Sequence, residues 1–206
     1  QKKTKLIKPM LYGLLPGGKK VRSKILFDIG SIFKVDKKNI LQVAAAVECI
    51  HAYSLIHDDL PCMDNDDLRR GKATVHKAFN EANALLGGAS LLVYSFKLLS
   101  LNSFKINIED KLKIVNKFSD VTGAEGVLSG QYLDLLAENK KFKLTLNNFK
   151  EIQKKKTSLL IAFSTLTGAI IGNATKKEQK DMFDIGLLIG SLFQIQDDIL
   201  DQEGNE

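Results

Sequence analysis

Apolar residues recur at the spacing of an α-helix along almost the whole chain. Val43, Val47 and Ile50, for example, lie three or four residues apart and therefore share one helical face. No alternating pattern typical of a strand extends beyond a few residues, so the pattern predicts an all-α fold. The predicted helices are Ile40–His57, Glu81–Leu101, Asp110–Tyr132, Asn148–Ile171 and Asp181–Asp201.

Turn-forming residues separate these helices. The predicted loops are Pro16-Gly17-Gly18, Asn102–Asn107 and Asn139–Asn147. Gly87 and Gly88 are expected to loosen the second helix, and the glycines of the third helix to interrupt it only lightly. Gly172 followed by Asn173 is a stop signal for the fourth helix.

Length and composition restrict the class of protein. The chain has 206 residues, which suits one domain. Hydrophobic residues make up 44% and charged residues 26%, close to globular averages, so disordered and fibrous architectures are excluded. The net charge of +6 is spread along the chain as a solvated basic surface. Because the basic residues are not interleaved with aromatic ones, no nucleic-acid partner is expected.

The sequence predicts a cytoplasmic protein without a membrane span. Its longest nearly apolar run, Leu159–Gly172, is shorter than the roughly 20 residues that a membrane-spanning helix needs, and no signal-peptide pattern occurs. Cys49 and Cys62 are too few for a disulfide framework and form no CxxC motif. Both are therefore interpreted as reduced residues that pack in the interior.

The strongest chemical signal is an acidic motif that occurs twice within apolar sequence. Its members are Asp58, Asp59 and Asp64 in the first copy and Asp197, Asp198 and Asp201 in the second. Asp197 and Asp201 are four residues apart, so they project from one helical face. Pro61 disfavours helix at the residue before it. We therefore expect the first helix to distort there, in a way that can return Asp64 toward Asp58.

Clustered carboxylates repel one another and need a cation nearby. A solvated acidic surface would explain one such motif, but two copies in apolar surroundings favour a binding site. Clusters that offer only oxygen ligands suit Mg²⁺, which takes one or two carboxylates together with substrate phosphates.

Basic residues lie at positions where they could bind those phosphates. Lys19 and Arg22 follow a Gly-Gly turn and would share a helical face if a helix starts there. Arg69 and Arg70 follow the first acidic motif, and arginine suits bidentate contact with phosphate oxygens. Lys156 begins another apolar helix. Each segment alone is also typical of an ordinary surface, but cations beside metal-bridged phosphates indicate two anionic groups.

The segment from His51 to Gly71, together with Gln196 to Asp201, resembles the trans-prenyltransferases, the short-chain polyprenyl diphosphate synthases. The resemblance runs from about Tyr12 to the C-terminus and is greatest to bacterial farnesyl diphosphate synthases. Further motifs in family order are Gly18-Lys19, Gly130-Gln131 with Asp134-Leu135, and Lys156-Thr157. It implies an all-α isoprenoid synthase-type helical bundle around a deep central cavity, usually a homodimer. Residues 1–206 would form a single polyprenyl synthase domain that lacks its N-terminal helix and its C-terminal helices.

The resemblance also implies an activity. This is the Mg²⁺-dependent head-to-tail condensation of isopentenyl diphosphate with an allylic diphosphate, dimethylallyl or geranyl, to give farnesyl diphosphate. A geranylgeranyl diphosphate synthase is the first alternative. A non-catalytic subunit of a heteromeric synthase is disfavoured because every aspartate is retained. A terpene cyclase or head-to-head coupling enzyme is disfavoured because it would not need the residues that bind isopentenyl diphosphate.

Roles for individual residues follow from the resemblance. The aspartates of both motifs would hold Mg²⁺ against the allylic diphosphate, with Asp58 and Asp64 as the best ligands of the first motif. The residues implied to contact the allylic diphosphate are Arg69 and Lys156. Those implied to hold isopentenyl diphosphate are Lys19, Arg22, His51 and Arg70. Thr157 and Gln194 are implied to lie near the allylic group. The aspartates, Arg69 and Lys156 would carry catalysis without a protein nucleophile.

Product length would be set on the helix that carries Asp58. Ser54 precedes Asp58 by one turn and lies nearly beneath it, whereas Tyr53 lies about 140° around the helix. Geometry alone is thus equally consistent with a core tyrosine. An aromatic residue at this position resembles the farnesyl synthases, so Tyr53 is predicted to limit the product to fifteen carbons.

Overall fold

The computed structural model describes residues 4–15, 17–138 and 144–203, and most of them are helical. The helices are, in chain order, α1 (Ile7–Leu14), α2 (Val21–Ile32), α3 (Lys37–Asp58), α4 (Val75–Ala78), α5 (Glu81–Ser100), α6 (Ile108–Thr122), α7 (Val127–Glu138), α8 (Leu146–Gln153), α9 (Leu159–Ile171) and α10 (Lys176–Glu203). The π-helical turn Lys154–Ser158 joins α8 to α9. The predicted all-α fold class is therefore confirmed.

Among the described residues, one short antiparallel hairpin, β1 (Leu68–Arg69) and β2 (Lys72–Ala73), departs from the helical pattern. Its two turn residues, Arg70 and Gly71, have φ angles of 54° and 75°. Two successive residues with positive φ are typical of the tight turn that matches the twist of a hairpin. Two-residue strands are too short for a sequence pattern to predict.

The chain divides into two compact units. The first comprises Gln1–Ser23 and Leu41–Phe104, and the second comprises Lys24–Ile40 and Lys105–Glu206. In the first unit, α5 packs against α1 and α4. A Cβ atom on Gly88 would lie 2.5 Å from the His57 ring. The glycine therefore permits close packing, and α5 is continuous rather than loosened.

Helix α9 is the core of the second unit. Every residue from Leu160 to Ile171 is buried, as expected of a helix that is apolar on all sides. It packs mainly against α10 and α6. The predicted stop at Gly172 is correct, because Gly172 caps α9 and Asn173 adopts a φ of 55°.

Several sequence predictions need correction. The predicted helix Asp110–Tyr132 is two helices, since the chain breaks between Gly123 and Gly126, where a Cβ atom on Gly126 would collide with the Val121 carbonyl. Helices α1 and α2 were not predicted. Lys19 and Arg22 do not share a helical face, because α2 begins only at Val21.

The remaining predictions have mixed outcomes. The loop Asn102–Asn107 is confirmed, whereas Pro16 and residues 139–143 lie outside the described part of the chain. Cys49 is buried, and burial followed by the charge of Glu48 raises its pKa to about 11. Cys62 is exposed, so its assignment as a packing residue was wrong.

Two helices of the described residues, α3 and α5, are long and apolar enough to cross a membrane by length and composition alone. In α3, 56% of the most apolar stretch is buried inside the protein, as is usual for a core helix of a soluble protein. The corresponding share for α5 is 33%. The absence of a membrane span stays a prediction.

Close backbone packing at Gly130 is expected to be essential for stability. A Cβ atom there would lie 2.5 Å from the backbone nitrogen of Lys156 and 2.9 Å from the carbonyl carbon of Lys155. Gly130→Ala should lower the free energy of unfolding by about 1–3 kcal/mol, because backbone atoms must move. At Gly87 the nearest atom would be 3.5 Å away. Gly87→Ala is therefore the control and should change stability by less than about 1 kcal/mol. Urea denaturation followed by circular dichroism measures both, and equal stabilities would contradict this packing.

Candidate active site

The first acidic motif lies where α3 ends. The helix stops at Asp58, and the backbone N–H of Asp64 donates a hydrogen bond to the Asp58 carbonyl at 2.9 Å. Asn65 adopts a φ of 54° and donates to the Leu60 carbonyl at 3.1 Å. The distortion expected next to Pro61 is thus present, and it returns the chain to Asp58. Asp58 itself is buried.

Asp59 is held by an arginine. Arg69 donates to Asp59 Oδ1 from Nε at 2.8 Å and from Nη2 at 2.5 Å, and its Nη2 also donates to Asp66 Oδ2 at 2.9 Å. Burial raises the pKa of Asp59, and the guanidinium opposes that effect. Burial would lower the pKa of Arg69, but the hydrogen bond and charge of Asp59 and the charge of Asp66 have the larger combined effect, so the pKa is raised. The carboxylate of Asp59 is therefore directed to Arg69, whereas Asp64 is exposed.

Arg70, the second arginine of the hairpin, packs against the turn formed by Gly17 and Gly18. Arg70 Nη1 donates to the Gly17 carbonyl at 3.2 Å. Gly18 has a φ of 87°, and a Cβ atom there would lie 2.7 Å from the Arg70 guanidinium. Both the backbone conformation and the close approach of Arg70 therefore require glycine at this position.

Arg22 and His51 form a second group of basic side chains in the same unit. Arg22 Nη1 lies 3.4 Å from His51 Nε2. Burial, followed by the charges of Arg22 and Arg70, lowers the pKa of His51 well below its ordinary value of 6.5. Lys20 instead pairs with Glu48 at 2.8 Å. His51 is therefore a neutral ring among cations, an environment in which an anion would be stabilised.

A cavity of about 140 Å³ lies beside the two arginines of the hairpin. Arg69 and Arg70 contribute charge to its lining, and Leu55, Ile56 and Val75 contribute an apolar surface. Such a lining suits a ligand with a charged end and an apolar end. Lys19 lies exposed on the loop that precedes α2, outside this lining.

The π-helical turn of the second unit positions Lys156 and Thr157. Lys156 Nζ donates to Asp134 Oδ2 at 2.5 Å, and Thr157 Oγ1 donates to Gln194 Oε1 at 2.8 Å. The structure therefore brings Thr157 and Gln194 together. π-Helical turns inside α-helices are frequent at functional sites.

The second acidic motif lies near the end of α10. Asp197 is half-buried, while the side chains of Asp198 and Asp201 lie outside the described residues. Among the side chains that are described, no three of His, Cys, Asp or Glu gather into a metal-binding group. Mg²⁺ does not require such a group, because it commonly takes one or two carboxylates and completes its shell with substrate phosphates and water.

Tyr53 and Ser54 lie on α3 before Asp58. Tyr53 is buried, and its ring centroid lies 4.5 Å from that of His57. Burial raises the pKa of Tyr53, and the charge of Asp58 adds to this effect. Ser54 Oγ donates to the His51 carbonyl at 2.9 Å. Both residues thus lie near the first acidic motif.

Sequence reasoning missed the acidic partners of these cations. Asp66 pairs with Arg69, Asp134 with Lys156, and Glu48 with Lys20. The spacing of three residues between Asp66 and Arg69 was a usable signal. The other two pairs join positions more than twenty residues apart, so nothing local indicated them.

Comparisons with known proteins identify the family of this chain. The sequence model of the Polyprenyl synthetase family matches residues 3–206. A farnesyl diphosphate synthase of Bacillus subtilis is 45% identical over 98% of this chain and 68% of its own. Geranylgeranyl pyrophosphate synthase 4 of Arabidopsis thaliana is 39% identical over 95% of this chain and 52% of its own.

A solved structure supports the fold. The apo FPP/GFPP synthase of Zymomonas mobilis superposes with a TM-score of 0.94 at 40% identity, covering 97% of this chain and 71% of its own. The chain belongs to the Polyprenyl synthetase family. Its fold is accordingly that of the isoprenoid synthases.

His51 should make the protein less stable in acid. Because its pKa is lowered in the folded state, the unfolded chain binds more protons below pH 6.5. The free energy of unfolding should therefore fall as the pH drops below about 6.5, with a slope from this residue of at most ~1.4 kcal/mol per pH unit. His51→Asn should remove part of that slope.

Urea denaturation between neutral and mildly acidic pH measures the effect. Ser54→Ala, a non-titrating change on the same helix, is the control and should keep the slope of the parent protein. An unchanged slope in His51→Asn would show that this ring titrates normally.

Proposed function

We propose that the protein is a prenyltransferase that condenses isopentenyl diphosphate with dimethylallyl or geranyl diphosphate to give farnesyl diphosphate, and that residues 1–206 belong to one polyprenyl synthase domain. The observation that carries the proposal is the presence of both acidic motifs together with cations that are already oriented, such as Arg69 by Asp59, Lys156 by Asp134 and Arg22 beside His51. Membership of the family and the likeness to a bacterial farnesyl diphosphate synthase support it. A non-catalytic subunit would not need this complete set.

Prenyl synthases generally use a divalent metal ion, and we propose Mg²⁺ for this protein. The first motif fits that ion because it offers oxygen ligands only, and the turn after α3 joins Asp64 to the backbone of Asp58. Asp58, Asp64 and Asp197 would hold the metal, with Asp198 and Asp201 as further candidates. When bound, Mg²⁺ neutralises the charge that the departing diphosphate gains.

The side chains of the protein would bind and orient the two substrates. We assign Arg69 and Lys156 to the allylic diphosphate, with Asp59 positioning Arg69 rather than serving as a primary metal ligand. Both cations are held by carboxylates, so little reorganisation is needed when charge develops on the leaving group. Thr157 and Gln194 are proposed to lie near the allylic group.

Isopentenyl diphosphate would be bound by a different set of basic residues. Arg22, His51 and Arg70 provide charge and hydrogen bonds, and we propose that exposed Lys19 joins them when the diphosphate binds. The carbon–oxygen bond of the allylic substrate breaks, and diphosphate leaves with the electron pair. The double bond of isopentenyl diphosphate then attacks C1, and a proton passes to the released diphosphate. The residues must hold both substrates in near-attack geometry and exclude water.

A geranylgeranyl diphosphate synthase is the second candidate. The likeness to the Arabidopsis protein favours it, but the buried aromatic ring of Tyr53 beside the first motif favours the shorter product. We further propose a cytoplasmic homodimer without a membrane span. The extensive burial of α3 supports the last point.

The proposed reaction predicts that product formation depends on Mg²⁺ and on both acidic motifs. Incubation with Mg²⁺, isopentenyl diphosphate and each allylic starter should give farnesyl diphosphate, measured by chromatography. Asp58→Ala and Asp197→Ala should lower turnover by at least about a hundredfold, because each removes charge stabilisation worth several kcal/mol. Asp184→Ala is the control, since this exposed carboxylate on α10 pairs only with a surface lysine among the described contacts. Near-full turnover in either motif variant at saturating substrate would overturn the metal assignment.

The two substrates should respond to different substitutions. Arg22→Ala and His51→Ala should mainly raise the KM for isopentenyl diphosphate, and Lys156→Ala that for the allylic substrate. Each removes a charged or polar hydrogen-bond partner, so about ten- to a hundredfold is expected. Steady-state kinetics with one substrate varied at a time measures the effects. If Arg22→Ala raised only the allylic KM, the two diphosphates would have been assigned to the wrong groups.

Tyr53 should limit product length. Tyr53→Ala removes a buried ring near the first motif and should shift the product toward twenty carbons or more, with the metal dependence unchanged. Tyr94→Ala, a tyrosine that is 43% exposed on α5, is the matched control and should leave the product distribution unchanged. Chromatography of the products measures both. An active Tyr53→Ala enzyme that still makes only the fifteen-carbon product would show that another residue sets the limit.

A further inference from the structure

We propose that His76 is a positioning residue that fixes Arg69 through Thr74 and Asp66, and thereby governs binding of the allylic diphosphate. The inference rests on the proposed function for its kinetic consequence only. The hydrogen-bond chain itself follows from the positions of the side chains. His76 lies on α4, immediately after the hairpin, and no role for it follows from the two acidic motifs.

The hydroxyl group of Thr74 determines which group donates and which accepts in the hydrogen bonds between His76, Thr74 and Asp66. Thr74 Oγ1 lies 2.8 Å from the Asp66 carbonyl and 3.1 Å from His76 Nδ1. A carbonyl only accepts hydrogen bonds, so the single hydroxyl proton must be directed to Asp66. Thr74 Oγ1 therefore accepts a hydrogen bond, and the donor is the Nδ1–H group of His76.

The other ring nitrogen of His76 supports the same tautomer. His76 is 7% exposed, and its Nε2 is buried without a hydrogen-bond partner among the described residues. A proton on Nε2 would leave a buried donor unpaired, whereas an unprotonated Nε2 leaves only an acceptor unpaired. A ring that carries its proton on Nδ1 alone donates to Thr74 and leaves no buried donor unpaired.

The chain of contacts then continues to the catalytic arginine. The backbone N–H of Thr74 donates to the Asp67 carbonyl at 3.0 Å. Thr74 therefore forms hydrogen bonds with two successive residues of the loop before β1, Asp66 and Asp67. The Asp66 carboxylate lies 2.9 Å from Arg69 Nη2. The route is thus His76 to Thr74, Thr74 to Asp66, and Asp66 to Arg69.

The neighbouring arginine is held in a different way. Arg70 contacts the Gly17 carbonyl and the face of Gly18, and Asp66 takes no part in these contacts. Loss of the His76 hydrogen bond should therefore disturb Arg69 and leave Arg70 in place. A histidine that only filled space would show no such difference between the two substrates.

Two substitutions at His76 separate the hydrogen bond from packing. The side-chain amide of asparagine can place a donor near the position of Nδ1, whereas that of glutamine reaches toward the position of Nε2. We expect His76→Gln to raise the allylic KM about tenfold and to change the KM for isopentenyl diphosphate less than about twofold. His76→Asn should restore an allylic KM within about threefold of the parent enzyme. Thr74→Val and Thr74→Ser form a second pair with the same expected contrast.

Nuclear magnetic resonance provides a readout that does not depend on activity. Long-range ¹H–¹⁵N spectra should place the His76 proton on Nδ1, and the Arg69 Nε–H signal should shift in His76→Gln but not in His76→Asn. A proton on Nε2 would overturn the inference, as would equal effects of both variants or equal effects on both substrates. If the parent protein makes no prenyl product, the proposed function fails. In that case the Arg69 signal still tests whether His76 positions Arg69. If His76→Gln folds poorly, the Thr74→Val and Thr74→Ser pair tests the same hydrogen bond between His76 and Thr74.

Discussion

The Arg69 guanidinium lies between the carboxylates of Asp59 and Asp66, and much of the first unit depends on this interaction. Asp59 is 3% exposed, and a buried carboxylate without a counter-charge would be strongly destabilising. The ion pair between Asp59 and Arg69 supplies that counter-charge and joins the end of α3 to the hairpin that begins at Leu68. The same hairpin carries Arg70, which reaches the Gly-Gly turn after α1. One charge pair therefore organises both arginines of the motif.

The basic side chains that we assign to substrate binding are held by other groups of the protein before any substrate binds. Lys156 is held by Asp134, Arg70 by a carbonyl, and Arg22 lies against the neutral ring of His51. Cations that are already oriented lose little conformational freedom when they bind an anion, and they stabilise charge that develops later in a reaction. This arrangement suits a reaction in which a diphosphate leaves and a second diphosphate only anchors its substrate.

The sequence predicted the long helices because their apolar stripes span several turns, as in α3, α5 and α10. It predicted the return of the chain after Asp58, because Pro61 acts locally. It did not predict α1 and α2, where the apolar periodicity is short, or the break at Gly126, where the close approach of the Val121 carbonyl leaves no room for a Cβ atom. The pairing of Lys156 with Asp134 depends on tertiary packing. The sequence therefore indicated Lys156 as a candidate site residue but could not predict its ion pair with Asp134.

We propose that isopentenyl diphosphate is held by basic side chains and His51 without a metal ion, whereas the allylic diphosphate also needs a metal ion. Isothermal titration calorimetry with isopentenyl diphosphate and with a thiolodiphosphate analogue of geranyl diphosphate, each in Mg²⁺ and in a chelator, tests this directly. Removing Mg²⁺ should weaken binding of the analogue at least about a hundredfold but binding of isopentenyl diphosphate less than about threefold. Equal dependence of both ligands on Mg²⁺ would contradict the separation of the two sites.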